Sequence, residues 1–304
     1  MDAKHLTILL LLLSLLACKP LDIKRNKTMN LEITYWSNEG ETTLPNELLI
    51  ANDGETVLKI RSNRSNTEFS NTGIYRAHFK EARFLPLVNA LRNEEFVRLQ
   101  APQNLPPGIA IRKLSIKGND KTTIEKITTG TIQTPPAFQA AEKLALEWVT
   151  TVRKTPYQAI SIQFDQLPSQ FNSGDSVSFS VTLANAGFQN IQIPHPAKWN
   201  EHSTQMTLKA LRSDIPLAEL RSRHQKFETL SKDNMNEIKA KNVQGPMITL
   251  VPSDKITMLL QKKFDWDNGD YDTNISCLLP LFDMEGKQVI RCEIVSKTIN
   301  IKCL

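Results

Sequence analysis

From residue 159 to the C-terminus the chain alternates apolar and polar residues almost without interruption, and that period decides its class. AISIQFDQL (159–167), SVSFSVTLANAG (176–187) and FQNIQIPHP (188–196) alternate strictly. TQMTLKALR (204–212), PMITLVPS (246–253), KITMLLQKKF (255–264), YDTNISCLLPLFD (271–283) and VIRCEIVSKTINIKC (289–303) continue the series. Successive side chains on a strand point to opposite faces, so a period of two marks half-buried strands. At least seven such strands, with turns between them and little helix, describe a β-sandwich over 156–304. One segment departs from the pattern. IPLAELRSRHQKFETLSKDNMNEIKAKNVQG (215–245) is charged, helix-compatible and too long for an ordinary strand connection. It is expected to be a helical insertion covering a sheet edge, a partner surface, or a mobile loop.

The preceding part, 31–155, mixes two periods. LEITYWS (31–37), NELLIAND (46–53), TVLKIRS (56–62) and GIYRAHFK (73–80) read as strands, and Asn52-Asp53-Gly54 between apolar runs predicts a hairpin. Phe84, Leu87, Val88 and Leu91 then fall on one helical face. IAIRKLSIKG (109–118) and KTTIEKITT (121–129) flank Gly118-Asn119-Asp120, a second hairpin. Pro135 and Pro136 open a longer helix over 137–154, with Phe138, Ala141, Ala145, Trp148 and Val152 in one stripe. Two hairpins, each followed by a helix, predict an α+β domain: an antiparallel sheet with two helices on one side. The domain boundary is expected at residues 154–158, where Thr155-Pro156 follows the helix, and a fragment from about 156 to 304 is expected to fold alone.

Within the second half, Gly174-Asp175-Ser176-Val177-Ser178-Phe179-Ser180-Val181 and its continuation to Gly187 resemble strand B of immunoglobulin-like modules in exported bacterial proteins. Gly269-Asp270-Tyr271 is similar to the start of the strand that carries a tyrosine corner in such folds. The resemblance implies an Ig-like sandwich for about half the chain, and a fold rather than an activity. Intracellular-proteinase-inhibitor-like domains and carbohydrate-binding modules share this kind of sandwich.

The N-terminus carries an address. Residues 1–17 hold a short polar start with Lys4, then the apolar run LTILLLLLSLLA from Leu6 to Ala17. As a helix that run spans roughly 18 Å, short of a bilayer core of ~30 Å, and fits a signal-peptide core instead. Leu15-Leu16-Ala17-Cys18 resembles the bacterial lipoprotein lipobox: an aliphatic residue, a small residue at −1, then cysteine. Leu16 is bulkier than that pattern usually has. The resemblance implies cleavage before Cys18 and acylation of that residue, whose several chains together hold a protein firmly where one holds marginally. Lys19-Pro20, with no aspartate after the cysteine, resembles lipoproteins sorted to the outer membrane. The periplasmic face is the first expectation and the cell surface the second. Residues 18–30 read as a flexible tether to the first domain.

The net charge of +5 is spread along the chain, which suits a solvated surface better than a nucleic-acid patch. No P-loop, G-x-S-x-G, G-x-G-x-x-G or H-E-x-x-H occurs, and the sequence implies no cofactor and no catalytic residue. Asp265, Asp267, Asp270 and Asp272 crowd around Gly269, but an EF-hand needs a glutamate at 275, where Ile stands. His78 and His224 are placed on a strand and on the charged insertion. His195 and His202, seven apart with Glu201, fall short of a metal set. With Trp199 they mark a candidate binding loop, where the indole either stacks on a sugar or a protein partner, or packs into the sandwich rim.

Three cysteines besides Cys18 remain: Cys277, Cys292 and Cys303. If the strands joined by Asp283-Met284-Glu285-Gly286 align their apolar faces, Cys277 stands opposite Cys292 and Leu279 opposite Ile290. Directly opposed residues can bridge, so Cys277–Cys292 is the candidate disulfide. The alternative is three small buried apolar residues. The functional expectation is a lipid-anchored envelope protein that binds a protein or glycan without catalysis. A proteinase-inhibitor-like sandwich and an envelope hydrolase with a site between the domains are the rivals.

Overall fold

A computed structural model of the chain describes residues 31–304 apart from 40–43, 52, 65–69, 101, 103–107, 119–121 and 131–132. Residues 1–30, on which the expected signal peptide, Cys18 and the expected tether fall, lie outside the described residues. The described chain is mostly β and builds two sheets. Among the described residues no helix is long and apolar enough to cross a membrane.

The first half runs β1 (Glu32–Glu39), β2 (Asn46–Ile50), β3 (Glu55–Ile60), β4 (Asn71–His78), α1 (Leu85–Arg92), α2 (Glu94–Val97), β5 (Ala110–Lys117), β6 (Thr123–Thr129) and α3 (Pro136–Val152). Both expected hairpins pair, β2 with β3 and β5 with β6. Gly54, at φ +90°, makes the first turn, since its conformation disfavours any residue with a Cβ. The turn of the second, at 119–121, lies outside the described residues. Pro136 starts α3, and the expected stripe of Phe138, Ala141, Ala145, Trp148 and Val152 is its buried face. Asn93 caps α2 by accepting from Glu95 N at 2.8 Å.

The second half runs β7 (Pro156–Asp165), β8 (Gln170–Phe171), β9 (Ser176–Asn185), β10 (Ile191–Pro194), β11 (Gln205–Arg212), β12 (Gln225–Leu230) and β13 (Met235–Lys239). It continues with β14 (Asn242–Gln244), β15 (Met247–Leu250), β16 (Lys255–Lys263), β17 (Gly269–Phe282), β18 (Gln288–Val295) and β19 (Ile299–Cys303). The larger sheet has the order β13-β16-β9-β7-β4-β3-β2-β1-β5-β6, and the second holds β12-β11-β17-β10-β15-β14 with β18, β19 and β8.

The segment 215–245 is not helical. It forms short 3-10 turns and β12, β13 and β14, which extend strands of both sheets. Its lysines and glutamates suit a helix by composition, but exposure along β12 alternates with period two, as on a strand.

One sheet therefore passes through residue 155. Strand β4 pairs with β7, and Gly73 faces Ala159 across that seam. A Cβ on Gly73 would fall 2.2 Å from Gln158 O and 2.6 Å from Ala159 Cα, at a φ of +141°. Only glycine lets these two strands approach. The hydrophobic core is nonetheless double. One cluster of buried side chains lies under α1 and α3 and comes from residues up to 152, with Ala159 added. The other fills the space between the two sheets and comes from residues from 160 onward, with Ile74 added. The two exceptions belong to the strand pair that joins the halves.

Candidate functional site

Along β11, Met206, Leu208 and Ala210 are buried, so Gln205, Thr207 and Lys209 face outward from the second sheet. Along β17, Cys277, Leu279 and Leu281 point inward, leaving Ser276 and Leu278 outside. The register places Thr207 between Thr229 and Ser276, Lys209 opposite Phe227, and Leu278 between Gln205 and Glu293. These outward rows floor a hollow of about 450 Å³, rimmed by Leu44 and Arg64 from the first half. A second hollow of about 430 Å³ adjoins it, walled by Trp199, Thr204, Lys232 and Arg291. Gln205, Thr229 and Leu278 line both, so the two form one groove across the outer face.

The first half closes one end of this groove with residues 61–64. Glu293 N donates to Arg61 O at 2.7 Å, and Asn63 pairs with both backbone groups of Val295. The Glu293 carboxylate accepts from Ser62 Oγ at 3.3 Å, forms an ion pair with Arg64, and has Lys209 Nζ at 3.8 Å. Glu293 is buried, so these partners compensate a charge that would be costly alone. Arg64 Nε is buried and has no hydrogen-bond partner among the described residues.

The candidate loop at 194–203 is a 3-10 turn, Pro196–His202, rather than an extended segment. His195 begins it, its Nδ1 accepting from Ala197 N at 3.2 Å. Trp199 is buried at 5% exposure and donates from Nε1 to Pro194 O at 3.1 Å. Its ring is rim core, as the packing alternative has it, and is not presented to solvent. His202 stands edge-on to Phe282, 6.0 Å between ring centroids. Of the three, only Trp199 lines the groove.

The acidic turn is spent on other partners. Asp267 pairs with Lys226 at 3.2 Å, which holds its carboxyl below the usual range. Asp272 accepts from Asn300, and Asp265 from Ser173. Among the described residues no cluster of histidine, cysteine or carboxylate is arranged for a metal. Tyr271 is buried, and its hydroxyl donates to Asp267 O at 2.9 Å, four residues upstream.

The expected cysteine register is displaced by two residues. Cys277 stands opposite Ile294 and Cys292 opposite Leu279, so the two thiols are diagonal neighbours rather than a directly opposed pair. All three described cysteines are free and buried. Burial pushes the Cys277 thiol far up and that of Cys292 up to about 12. A five-residue turn, 283–287, replaces the expected four-residue one, and a bulge at Val289 adds the second step.

Neither the Glu293 cluster nor a second buried polar cluster, on α3, was legible in the sequence. Glu142 sits on the apolar face of α3, accepts from Tyr35 Oη at 3.0 Å and is paired with Arg112 at 2.7 Å. Burial, then the Glu142 charge, pushes the Tyr35 hydroxyl up. A glutamate inside the stripe was the available signal.

No protein-family model and no curated protein matches the sequence. Solved structures are similar in part. AvmM, which catalyzes macrocyclization in alchivemycin A biosynthesis, is 13% identical at a TM-score of 0.29, over 47% of this chain and 88% of that one. The CARDB domain of a Pyrococcus furiosus protein, in complex with di-metal ions, is 10% identical at 0.24, over 49% and 91%. Spo0M, a sporulation control protein of Bacillus subtilis, is 12% identical at 0.25, over 47% and 48%.

Proposed function

We propose that this chain is an exported lipoprotein, anchored through acylated Cys18 at the outer membrane and facing the periplasm, that binds an envelope partner in the groove of its second half. In this reading 31–155 is an α+β domain and 156–304 an Ig-like sandwich, supported by the double core and by the Tyr271 corner. The observation that carries the binding role is the continuous groove, with Gln205, Thr229 and Leu278 joining its two hollows. Glu293 is the one carboxylate in its described lining and is committed to Arg64, whereas hydrolysis of a glycosidic bond needs two. The 3-10 geometry of 196–202 suits packing better than presentation to a protease.

Crosslinking in the native envelope followed by pull-down tests the proposal. The wild-type chain is expected to retain a partner that Thr229→Arg, which fills the groove where the hollows meet, loses. Equal recovery with both chains would contradict it.

A further inference from the structure

Resting on the groove as the binding site, we infer that its ligand is an acidic oligosaccharide, a run of sugar rings bearing carboxylate or phosphate groups. Charge is the first support. Lys232 and Arg291 line one end and Arg64 and Lys209 the other, against Glu293 as the single described acid. Arg64 and Lys209 face Glu293, but among the described residues no carboxylate pairs with Lys232 or Arg291. Arg291 gives one N–H to Ser203 O at 2.8 Å, and among the described residues the rest of its fork has no hydrogen-bond partner, leaving it to a ligand oxygen. A hollow lined by uncompensated cations concentrates field and favours an anion.

The floor is the second support. Backbone groups of β11 and β17, the central strands of the floor, are used in ladders on both sides, so the floor itself offers no strand edge to an extended peptide, and open edges lie only at its margins, on β12 and β18. Recognition falls to side chains. Gln205, Thr207, Thr229 and Ser276 present amide and hydroxyl groups that both donate and accept, as sugar hydroxyls do. The Thr204 hydroxyl, on the wall, is buried and has no partner among the described residues. Phe227 is the third support. It is 63% exposed on the rim opposite Lys209, and a ring in that position offers a flat face to the apolar side of a sugar. Acidic peptides satisfy the cations but leave hydroxyl rows and ring with less to do.

Isothermal titration of the full chain in detergent tests the inference with three probes: a galacturonate tetramer, a neutral glucose tetramer and a tetraglutamate peptide. The galacturonate is expected to bind, more weakly as salt rises, and at least tenfold better than either other probe. Lys232→Gln and Arg291→Gln are each expected to weaken it about tenfold, the loss of one charge-assisted contact. Lys143→Glu, on the exposed side of α3, is expected to change nothing. Tetraglutamate bound as tightly, and lost in the same variants, would overturn the sugar while leaving the groove as the site. No binding by any probe, or binding indifferent to the groove variants, would overturn both.

Discussion

Asn63 and Val295 exchange two hydrogen bonds across the junction of the halves: Val295 N donates to Asn63 Oδ1 at 2.7 Å, and Asn63 Nδ2 donates to Val295 O at 3.0 Å. One side chain thus stands in for a strand partner at the end of β18. It also sets the neighbouring Arg64 against Glu293. Asn63→Ala leaves both backbone groups of Val295 without that partner, at a cost of about 2–4 kcal/mol. Urea unfolding is expected to show a lower midpoint with little change in slope. An unchanged midpoint would mean the junction contributes nothing to stability.

Gly73→Ala strikes the other contact between halves. The new Cβ meets the β7 backbone at Gln158 and Ala159, and the φ of +141° strains any residue but glycine. Melting is expected to move down by several degrees, as overpacking of about 1–3 kcal/mol requires in a chain of this size. A 156–304 fragment carries its own core and is expected to melt cooperatively with a β-type spectrum, below the full chain because β7 has lost β4. A fragment without a cooperative transition would contradict the division into two cores.

These contacts mark the limit of what the sequence made legible. Local periods were readable: the alternation through β7 and β9, the Asn52-Asp53-Gly54 turn, and the α3 stripe each depend on neighbours a few residues away. The seam between β4 and β7 is read from Gly73 only once its partner is known. Segment 215–245 misled because its strands bury few apolar residues: β12 buries Leu230 and exposes Phe227, so charge dominates the composition. The groove needs the registers of β11, β12, β17 and β18 together, and one extra residue at Val289 shifts the last of them. Trp199 drew attention by its polar neighbours, although its indole is spent on Pro194.

The thiols give a prediction in pH. Cys277 and Cys292 are buried and neutral, with thiols raised above their ordinary 9.0. The folded state therefore holds protons that the unfolded state releases, and stability is full below pH 9 and falls as pH rises toward the raised values. The slope is about 1.4 kcal/mol per pH unit for each thiol. Denaturation at pH 8 to 10 is expected to show it, and a Cys277→Ala, Cys292→Ala double variant to flatten it. A pH-independent wild type, or a Cys277–Cys292 peptide in a non-reducing digest, would contradict free thiols.

Cys18→Ser is expected to leave the precursor uncut or to release the chain into a soluble fraction, since the acylation site is gone. Fractionation with and without detergent reads the outcome. A variant that still needs detergent to leave the membrane would contradict the lipid anchor.

The groove itself is tested most directly by a photo-crosslinking residue placed at Thr207, on its floor, and at Thr150, on the exposed side of α3, in cells with intact envelopes. The account predicts a light-dependent adduct from position 207 that added galacturonate oligomer suppresses, and none from position 150. Adducts of equal yield from both positions, or from 150 alone, would contradict it.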